Sequence, residues 1–324
     1  MKLPDTPAFA GRDLQRPECV LCTRRGDLFV SDRRGGVMRI HPDGRQTLIL
    51  PDLPADVPPL WPNGIALLPD GSWLVADLSE AHAGVWRLHA SGRLEPFLRA
   101  VDGVPLPSAN FVMTDRQDRV WITVSSRMAP RTLDFQPDAA SGFVVLVDPR
   151  GARIVADGLG FTNECRLDAD ERWLYVNETF GRRITRFRVA PDGTLAEREV
   201  FATFGAGTFP DGLALDIEGG LWLTSIVSNR LIRIAPDGAQ EIVLEDADAG
   251  HIARAEAAYH ARTMDRAHLD TVESHVLRNI SSVAFGGPDL RTMYLGSLLG
   301  DRVVAIRSPV AGLPLAHWDI APAG

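Results

Sequence analysis

The chain has 324 residues, a formal net charge of −8, 45% hydrophobic residues and 23% charged residues. A net negative surface repels phosphate backbones, which argues against a nucleic-acid partner. No segment reaches the roughly 20 apolar residues of a membrane-spanning helix. The N-terminus lacks the apolar core of a secretion signal, so we expect no membrane partner and a cytoplasmic location.

Six similar units follow one another along the chain. In each, a short apolar strand leads through a turn rich in Asp, Gly or Pro into a second strand with an aliphatic or aromatic pair, and further turns such as Pro-Asp-Gly precede outer strands. The pairs are Phe29-Val30, Leu74-Val75, Trp121-Ile122, Tyr175-Val176, Trp222-Leu223 and Tyr294-Leu295. A repeat of roughly 40 to 50 residues with four strands is typical of a β-propeller. We therefore predict an all-β protein, a six-bladed β-propeller of four-stranded antiparallel blades, with residues 1–324 as one domain.

Two segments are longer than a propeller connection requires. Residues 125–142 interrupt the third unit, and residues 245–279 separate the fifth from the sixth. The second segment predicts a helix, because Asp248 can cap its start and Ile252, Ala255 and Tyr259 recur at helical spacing. Long loops in compact domains are often functional, so both insertions are lid candidates. A surface insertion without function is the alternative.

The termini and the cysteines carry weaker signals. Either the N-terminal segment or the C-terminal 313–320 could supply the strand that closes the last blade and removes its open edge. The three cysteines are Cys19, Cys22 and Cys165, too few and odd in number for a disulfide framework. Cys165 matches apolar residues in the other units, so we expect it in the core.

Oxygen-bearing side chains recur just before the first strand of most units. The residues at this position are Glu18, Asn63, Asn110, Asn163, Asp211 and Ser281. The first strands of all blades start on the same face, so these side chains should ring one mouth of the central channel. Glu18, Asn163 and Asp211 together offer two carboxylates and an amide oxygen, which suit a hard divalent ion. The alternative is that they only satisfy backbone groups at strand starts.

A divalent ion at this position would suit hydrolysis of an ester or lactone. It can polarise a carbonyl and lower the pKa of a bound water, and a nearby carboxylate can act as general base. No nucleophile elbow and no Ser/His/Asp set fits the repeat. We expect one divalent metal ion, with Ca²⁺ ranked ahead of Zn²⁺, Mn²⁺, Mg²⁺ and Fe²⁺, and a small-molecule substrate bound by a monomer or a small homo-oligomer.

The segments RPECVLCTRRGDLFVSD, FTNECRLDADERWLYV, FPDGLALDIEGGLWLTS and SVAFGGPDLRTMYLGS resemble the SMP-30/gluconolactonase/LRE family of six-bladed propeller lactonases. The resemblance covers nearly all of residues 14–309. It implies metal ligation by Glu18, Asn163 and Asp211, with Asp211 also the general base. It further implies that Asn110 contacts substrate or metal-bound water. Asn63 matches less closely, and we expect it as a polar wall of the pocket.

The chain departs from the family pattern before the third blade. Where members have Arg-x-Asn, this chain has Ser108-Ala109-Asn110, so the sugar-binding arginine is missing. Arg127 is a predicted replacement, and Trp61, Phe161 and Phe209 are candidate apolar walls. Two other functions stay open. One is a metal-dependent aryl-esterase or organophosphate hydrolase, and the other is a ligand-binding propeller whose metal is structural.

Overall fold

A computed structural model describes residues 7–321 of the chain. The first strand, β1 (Ala8–Ala10), is followed by blade one, with β2 (Val20–Cys22), β3 (Leu28–Asp32), β4 (Gly36–Ile40) and β5 (Gln46–Ile49). Blade two contains β6 (Pro62–Leu67), β7 (Trp73–Asp77), β8 (Gly84–Leu88) and β9 (Leu94–Leu98). A small hairpin, β10 (Ala100–Val101) and β11 (Val104–Pro105), leads to blade three.

Blade three contains β12 (Phe111–Thr114), β13 (Val120–Val124), β14 (Gly142–Asp148) and β15 (Gly151–Leu159), with a 3₁₀ helix at Arg131–Asp134 between its second and third strands. Blade four contains β16 (Thr162–Leu167), β17 (Trp173–Glu178), β18 (Arg183–Val189) and β19 (Leu195–Thr203). Blade five contains β20 (Thr208–Leu215), β21 (Leu221–Val227), β22 (Arg230–Ile234) and β23 (Gln240–Glu245). Blade six contains β24 (Ile280–Gly286), β25 (Thr292–Ser297) and β26 (Val303–Arg307).

The sheets confirm the predicted six-bladed propeller. Every blade is a four-stranded antiparallel sheet in simple sequential order, except that the fourth strand of blade six comes from the other end of the chain. The inner strands contact one another in a closed ring, from β2 through β6, β12, β16, β20 and β24 back to β2. The aromatic members Phe29, Trp121 and Trp222 of the predicted pairs are fully buried between blades.

Closure of the ring is supplied by the N-terminal strand. β1 pairs antiparallel with β26, with Phe9 opposite Val304, and so becomes the outer strand of blade six. This pairing answers the question that the sequence left open between the two termini. It also ties the first and last blades together, so the propeller has no blade that ends in an unpaired third strand.

The first hairpin turns are held by buried aspartates. Asp216 Oδ2 accepts hydrogen bonds from Trp222 Nε1 at 2.9 Å and from Arg233 Nε at 2.9 Å. In blade three, Asp115 Oδ2 likewise accepts one from Trp121 Nε1 at 2.8 Å. The Asp-rich turns of the sequence are therefore anchors for the inter-blade tryptophans as well as reversals of the chain.

The C-terminal segment 311–320 closes the channel at the face opposite the strand starts. Leu313 N donates to Leu215 O at 2.8 Å, and Trp318 O accepts from Arg24 N at 2.8 Å. Gly312 lies so close to Phe285 that an added Cβ would come within 2.0 Å of the ring, which only glycine permits. Within residues 7–321, this segment therefore covers the channel on that face.

His317 lies in this segment and is buried near Arg166. Burial, with a smaller effect of Arg166, lowers the pKa of His317 to about 4. In the unfolded chain a histidine titrates near 6.5. Between about pH 4 and pH 6.5, His317 is protonated in the unfolded state but neutral in the folded state. The free energy of unfolding is therefore not reduced by this histidine above about pH 6.5, and it falls as the pH drops toward 4.

We expect this histidine to cost up to about 3 kcal/mol of folding free energy at pH 4. Urea unfolding of the natural protein and of His317→Gln at pH 7.0, 5.5 and 4.5 measures the effect, because the carboxylates titrate equally in both proteins. The gap between the two stabilities should change in favour of His317→Gln as the pH falls. A gap that stays constant would rule out the buried neutral histidine.

Both insertions lie on the face where the inner strands begin. The second forms α1 (Ala249–Ala261) and α2 (Ala267–Asp270), and Asp248 caps α1 by accepting from His251 N, as predicted. Tyr259 is buried and donates to Phe180 O at 2.6 Å. Phe135, directly after the 3₁₀ helix, stacks on Phe180 at 4.4 Å between ring centroids. The two insertions therefore share one aromatic cluster.

Two further sequence predictions can be compared with the fold. Cys19, Cys22 and Cys165 are all free and buried, and Cys165 belongs to the core as expected. No helix within residues 7–321 is long and apolar enough to cross a membrane. The cytoplasmic location stays a prediction.

Candidate metal centre at the channel mouth

Local irregularities in the inner strands orient the ring residues. The ladders of blades two, four, five and six each slip by a β-bulge, between Pro62 and Ile65, Thr162 and Cys165, Pro210 and Leu213, and Ile280 and Ser282. A bulge re-aims side chains that regular pleating would send elsewhere. Asn63, Asn163, Asp211 and Ser281 all lie within these bulges. The position that recurs in the sequence therefore coincides with a β-bulge in blades two, four, five and six.

The structure brings the predicted ring residues together. Glu18, Asn63, Asn110, Asn163 and Asp211 are all buried, with between 3% and 7% of each residue exposed. Neighbours around the ring are linked through hydrogen bonds. Asn63 Nδ2 donates to Asn110 O at 2.9 Å, and Ser281 Oγ donates to Glu18 O at 3.2 Å.

Asn163 presents its amide oxygen without a partner. Its Nδ2 donates to Thr179 Oγ1 at 3.1 Å, and Thr179 in turn donates to Pro210 O at 2.7 Å. These bonds fix the amide, while Oδ1 is buried and accepts no hydrogen bond from any residue in 7–321. An orphaned buried acceptor is costly, so Asn163 Oδ1 is free to bind a cation.

Asp211 lies in an electrostatically unfavourable position. Burial raises the pKa of its carboxyl well above the ordinary value, and the Glu18 and Glu164 carboxylates add to the effect. Arg16 and Arg131 oppose it more weakly. Two buried carboxylates so close to each other are stabilised by a bound cation.

The donor set of this centre fits a hard divalent ion. Two carboxylates, Glu18 and Asp211, and the free amide oxygen of Asn163 are the ligand types that Ca²⁺, Mg²⁺ and Mn²⁺ accept. Within residues 7–321, no group of three or more His, Cys, Asp or Glu side chains is arranged to hold a metal ion, so the donor set is not that of a zinc site built from nitrogen and sulfur ligands.

Asn63 and Asn110 lie beside this donor set and differ in their pairing. Asn63 Oδ1 accepts from Arg16 Nη1 at 3.2 Å, so both ends of its amide are engaged. Asn110 Oδ1 is buried and has no hydrogen-bond donor among the described residues. Of these two amides, Asn110 is therefore the one whose oxygen remains free to bind a ligand or a water.

Arg127 has a different environment. Its guanidinium pairs with Asp157 at 2.6 Å and 2.9 Å and lies 4.1 Å from the ring centroid of Phe143. No contact of the described residues joins it to the ring at the channel mouth. A substrate contact through Arg127 stays a prediction, and it requires the pair with Asp157 to open.

Arginines that the sequence analysis did not select lie next to the centre. Arg16 pairs with Glu18, and Arg131 from the 3₁₀ helix is close enough for Glu18 and Asp211 to influence its ionisation. Burial lowers the pKa of Arg131 to about 10, and the charges of Arg266 and Arg16 act in the same direction. Arg16 could have been selected from the sequence, because it lies two residues before Glu18. Trp61, Phe161 and Phe209 lie two residues before Asn63, Asn163 and Asp211 in the same way.

Two of the three candidate wall residues, Trp61 and Phe161, border these arginines. Trp61 lies under Arg16, at 5.7 Å from ring centroid to guanidinium carbon, and Phe161 lies 5.7 Å from Arg131. Phe209 is fully buried and packs edge-on against Tyr259 at 5.4 Å. Phe161 and Phe209 thus belong to the aromatic cluster under the insertions.

Glu164 is a further residue near the centre that was not among the predicted site residues. It lies in the channel and pairs with Arg166 at 2.8 Å, and it also accepts from Leu213 N at 3.1 Å. Burial raises the pKa of Glu164. The pair forms a polar layer below the ring, and Arg166 stacks 4.5 Å from the ring centroid of Phe111.

The molecule is therefore a six-bladed propeller with a carboxylate and amide centre at one mouth of its channel. Residues 16–248 match the family model described as the SMP-30/Gluconolactonase/LRE-like region. The chain belongs to that family.

Several known proteins are similar to this chain. The 6-deoxy-6-sulfogluconolactonase of Pseudomonas putida is 26% identical over 255 residues, which are 78% of this chain and 71% of that protein. A gluconolactonase structure from Xanthomonas campestris superposes with a TM-score of 0.66 at 20% identity, covering 92% of this chain and 88% of that one. A calcium-binding protein, regucalcin from Agrobacterium tumefaciens, gives 0.68 at 17% identity, covering 100% and 99%. The two structural matches support the fold alone.

Proposed function

We propose that this protein is a divalent-metal-dependent lactone hydrolase. The observation that supports this most directly is the unpartnered Oδ1 of Asn163 beside the buried carboxylates of Glu18 and Asp211. The name of the Pseudomonas putida relative supports lactone hydrolysis. Calcium is the first candidate ion, because the regucalcin match is described as calcium-binding.

The proposed roles follow from the pairing of each side chain. Glu18, Asn163 and Asp211 would hold the ion. When bound, it would polarise the lactone carbonyl and lower the pKa of a water. Asn110, with its free amide oxygen, would bind substrate or that water, and Asn63 would be a polar wall fixed by Arg16.

In the reaction, Asp211 accepts a proton from the attacking water while the water oxygen bonds to the acyl carbon. The ring C–O bond then breaks, and the leaving alkoxide takes the proton that Asp211 accepted, which gives a hydroxy acid and restores the Asp211 carboxylate. Substrate would enter through this mouth, because residues 311–320 cover the opposite face in the part of the chain that the structure describes. The insertions would act as lids over this mouth.

A substrate panel tests the proposal. The protein is stripped with a chelator, and Ca²⁺, Mg²⁺, Mn²⁺, Fe²⁺ or Zn²⁺ is returned singly while acid release is followed from five- and six-membered lactones, aryl acetates and an organophosphate triester. We expect lactone opening to vanish with chelation and to return with one of the ions. Turnover of only the aryl ester or triester would change the substrate class. Metal-dependent thermal stabilisation without any turnover would favour a binding propeller.

A further inference from the structure

Three arginines from separate parts of the chain converge at the channel mouth. Arg16 precedes β2, Arg131 begins the 3₁₀ helix of the first insertion, and Arg266 precedes α2 in the second. Arg266 is near enough to Arg16 and Arg131 for its positive charge to act on both of them. The carboxylates of Glu18 and Asp211 also act on Arg16 and Arg131. We call Arg16, Arg131 and Arg266 the arginine cluster.

The members of the cluster differ in how well they are paired. Arg266 pairs with Asp270 within the second insertion, and Arg16 pairs with Glu18. Arg131 has no carboxylate partner and no hydrogen-bond acceptor among residues 7–321, and its Nη1 is buried. Its one contact of note is with the face of Phe161. Arg131 as a whole is half-buried, but its Nη1 is buried without an acceptor, which is costly for a charged donor.

A bound metal ion would add positive charge beside the arginine cluster. Arg16 and Arg131 are matched in charge by Glu18 and Asp211, so these four side chains are neutral together. A divalent ion held by the two carboxylates adds two positive charges and competes with Arg16 for Glu18. The loaded centre then has a surplus of positive charge that an incoming anion can offset.

A groove leads from the cluster to solvent. It has a volume of about 580 Å³ and is bordered by Trp61, Ser108, Met128 and Arg131. Trp61 also lies against Arg16. A substituent of a bound substrate could therefore extend from the centre along the groove while remaining beside Arg131.

We propose that the arginine cluster, with Arg131 as its principal member, binds an anionic substituent of the substrate. The substrate class is then a lactone with a sulfonate or carboxylate group remote from the ring carbonyl. A guanidinium binds such planar or tetrahedral oxyanions through two parallel hydrogen bonds. This inference rests on the proposed function, because it names the class of lactone that the centre opens.

The test compares lactones that differ in one group. D-glucono-1,5-lactone is paired with its 6-deoxy-6-sulfo and 6-carboxylate counterparts, and kcat/KM is measured for the metal-loaded natural protein, Arg131→Met and Arg116→Met. Arg116 is exposed at the opposite end of blade three and bonds to Ala169 O, so its variant controls for loss of one positive charge. We expect the charged lactones to be preferred by about 10- to 100-fold, the range of a charge-assisted hydrogen bond.

Arg131→Met should reduce that preference to near 1, mainly through a higher KM for the charged lactones. Arg116→Met should keep the preference. Equal use of charged and neutral lactones by the natural protein would overturn the inference, and so would an unchanged preference in Arg131→Met.

A binding measurement separates this inference from the proposed function. Calorimetric titration with the open-chain acids, 6-deoxy-6-sulfogluconate and gluconate, needs no turnover. If no lactone is opened but the sulfonated acid binds at least 10-fold more tightly and loses this advantage in Arg131→Met, the anion site stands while the hydrolase proposal fails. If both acids bind equally, the anion site is refuted whatever the activity.

Discussion

Asp211→Asn should abolish lactone opening while leaving the fold as stable as before or more so. Loss of a general base costs about 10²- to 10⁴-fold in rate, and loss of a carboxylate ligand weakens metal binding as well, so we expect kcat/KM to fall at least about 10³-fold. The amide has the same shape, and it removes one of two neighbouring buried carboxylates. Without metal, the variant should therefore melt at an equal or higher temperature than the natural protein.

A loss of activity without a loss of stability would identify Asp211 as a residue of the reaction and not of the fold. Asp170→Asn is the matched control, because Asp170 is exposed in the turn between β16 and β17 and pairs with Arg172. Steady-state kinetics and thermal unfolding, each with and without chelator, measure both properties. Retention of more than a tenth of the activity by Asp211→Asn would exclude Asp211 as base and ligand.

Removal of residues 1–11 should open the propeller. It deletes β1 and leaves β26 as an unpaired edge, with Val303 and Val304 of that strand losing their cover. We expect a loss on the order of 3 to 5 kcal/mol from three strand positions and their packing, which lowers Tm by roughly 4 to 7 °C for a chain of this size. The free edge should also cause concentration-dependent association.

Phe9→Ala is the control for this truncation. The Phe9 side chain is 44% exposed and stacks on Arg302, so its removal retains the strand and should cost under about 1 kcal/mol. Thermal unfolding and light scattering over a range of protein concentrations measure both variants. A truncated protein that melts like the natural one and stays dispersed would show that β1 does not hold the ring closed.

The fold was predictable because its strands, its turns and its helix each correspond to a recognisable pattern in the sequence. The aromatic pairs mark buried second strands, and the Asp-rich turns mark hairpins whose aspartates also hold Trp121 and Trp222. The helix after blade five was predictable from the cap at Asp248. The pairing of β1 with β26 was not, because both termini contain short apolar segments and only long-range packing decides between them.

The candidate site was predictable in part. The recurrence of oxygen-bearing side chains singled out Glu18, Asn163 and Asp211, which the structure brings close at one mouth. The bulges that orient them depend on cross-strand register, which has no local signature. Arg131 reaches the centre from an insertion, so no repeat frame could place it. Arg127, four residues earlier, has the same chemistry but pairs with Asp157 instead.

The most direct test of the metal centre is anomalous diffraction from crystals soaked in Mn²⁺, which occupies Ca²⁺ and Mg²⁺ sites and is located by its own scattering. We predict one strong peak at the channel mouth, about 2.0 to 2.6 Å from carboxylate oxygens of Glu18 and Asp211 and from Oδ1 of Asn163. The same peak should be lost in crystals of Asn163→Leu, which has no oxygen to offer. Absence of a peak at the mouth in the natural protein, or a peak bound elsewhere, would contradict the account.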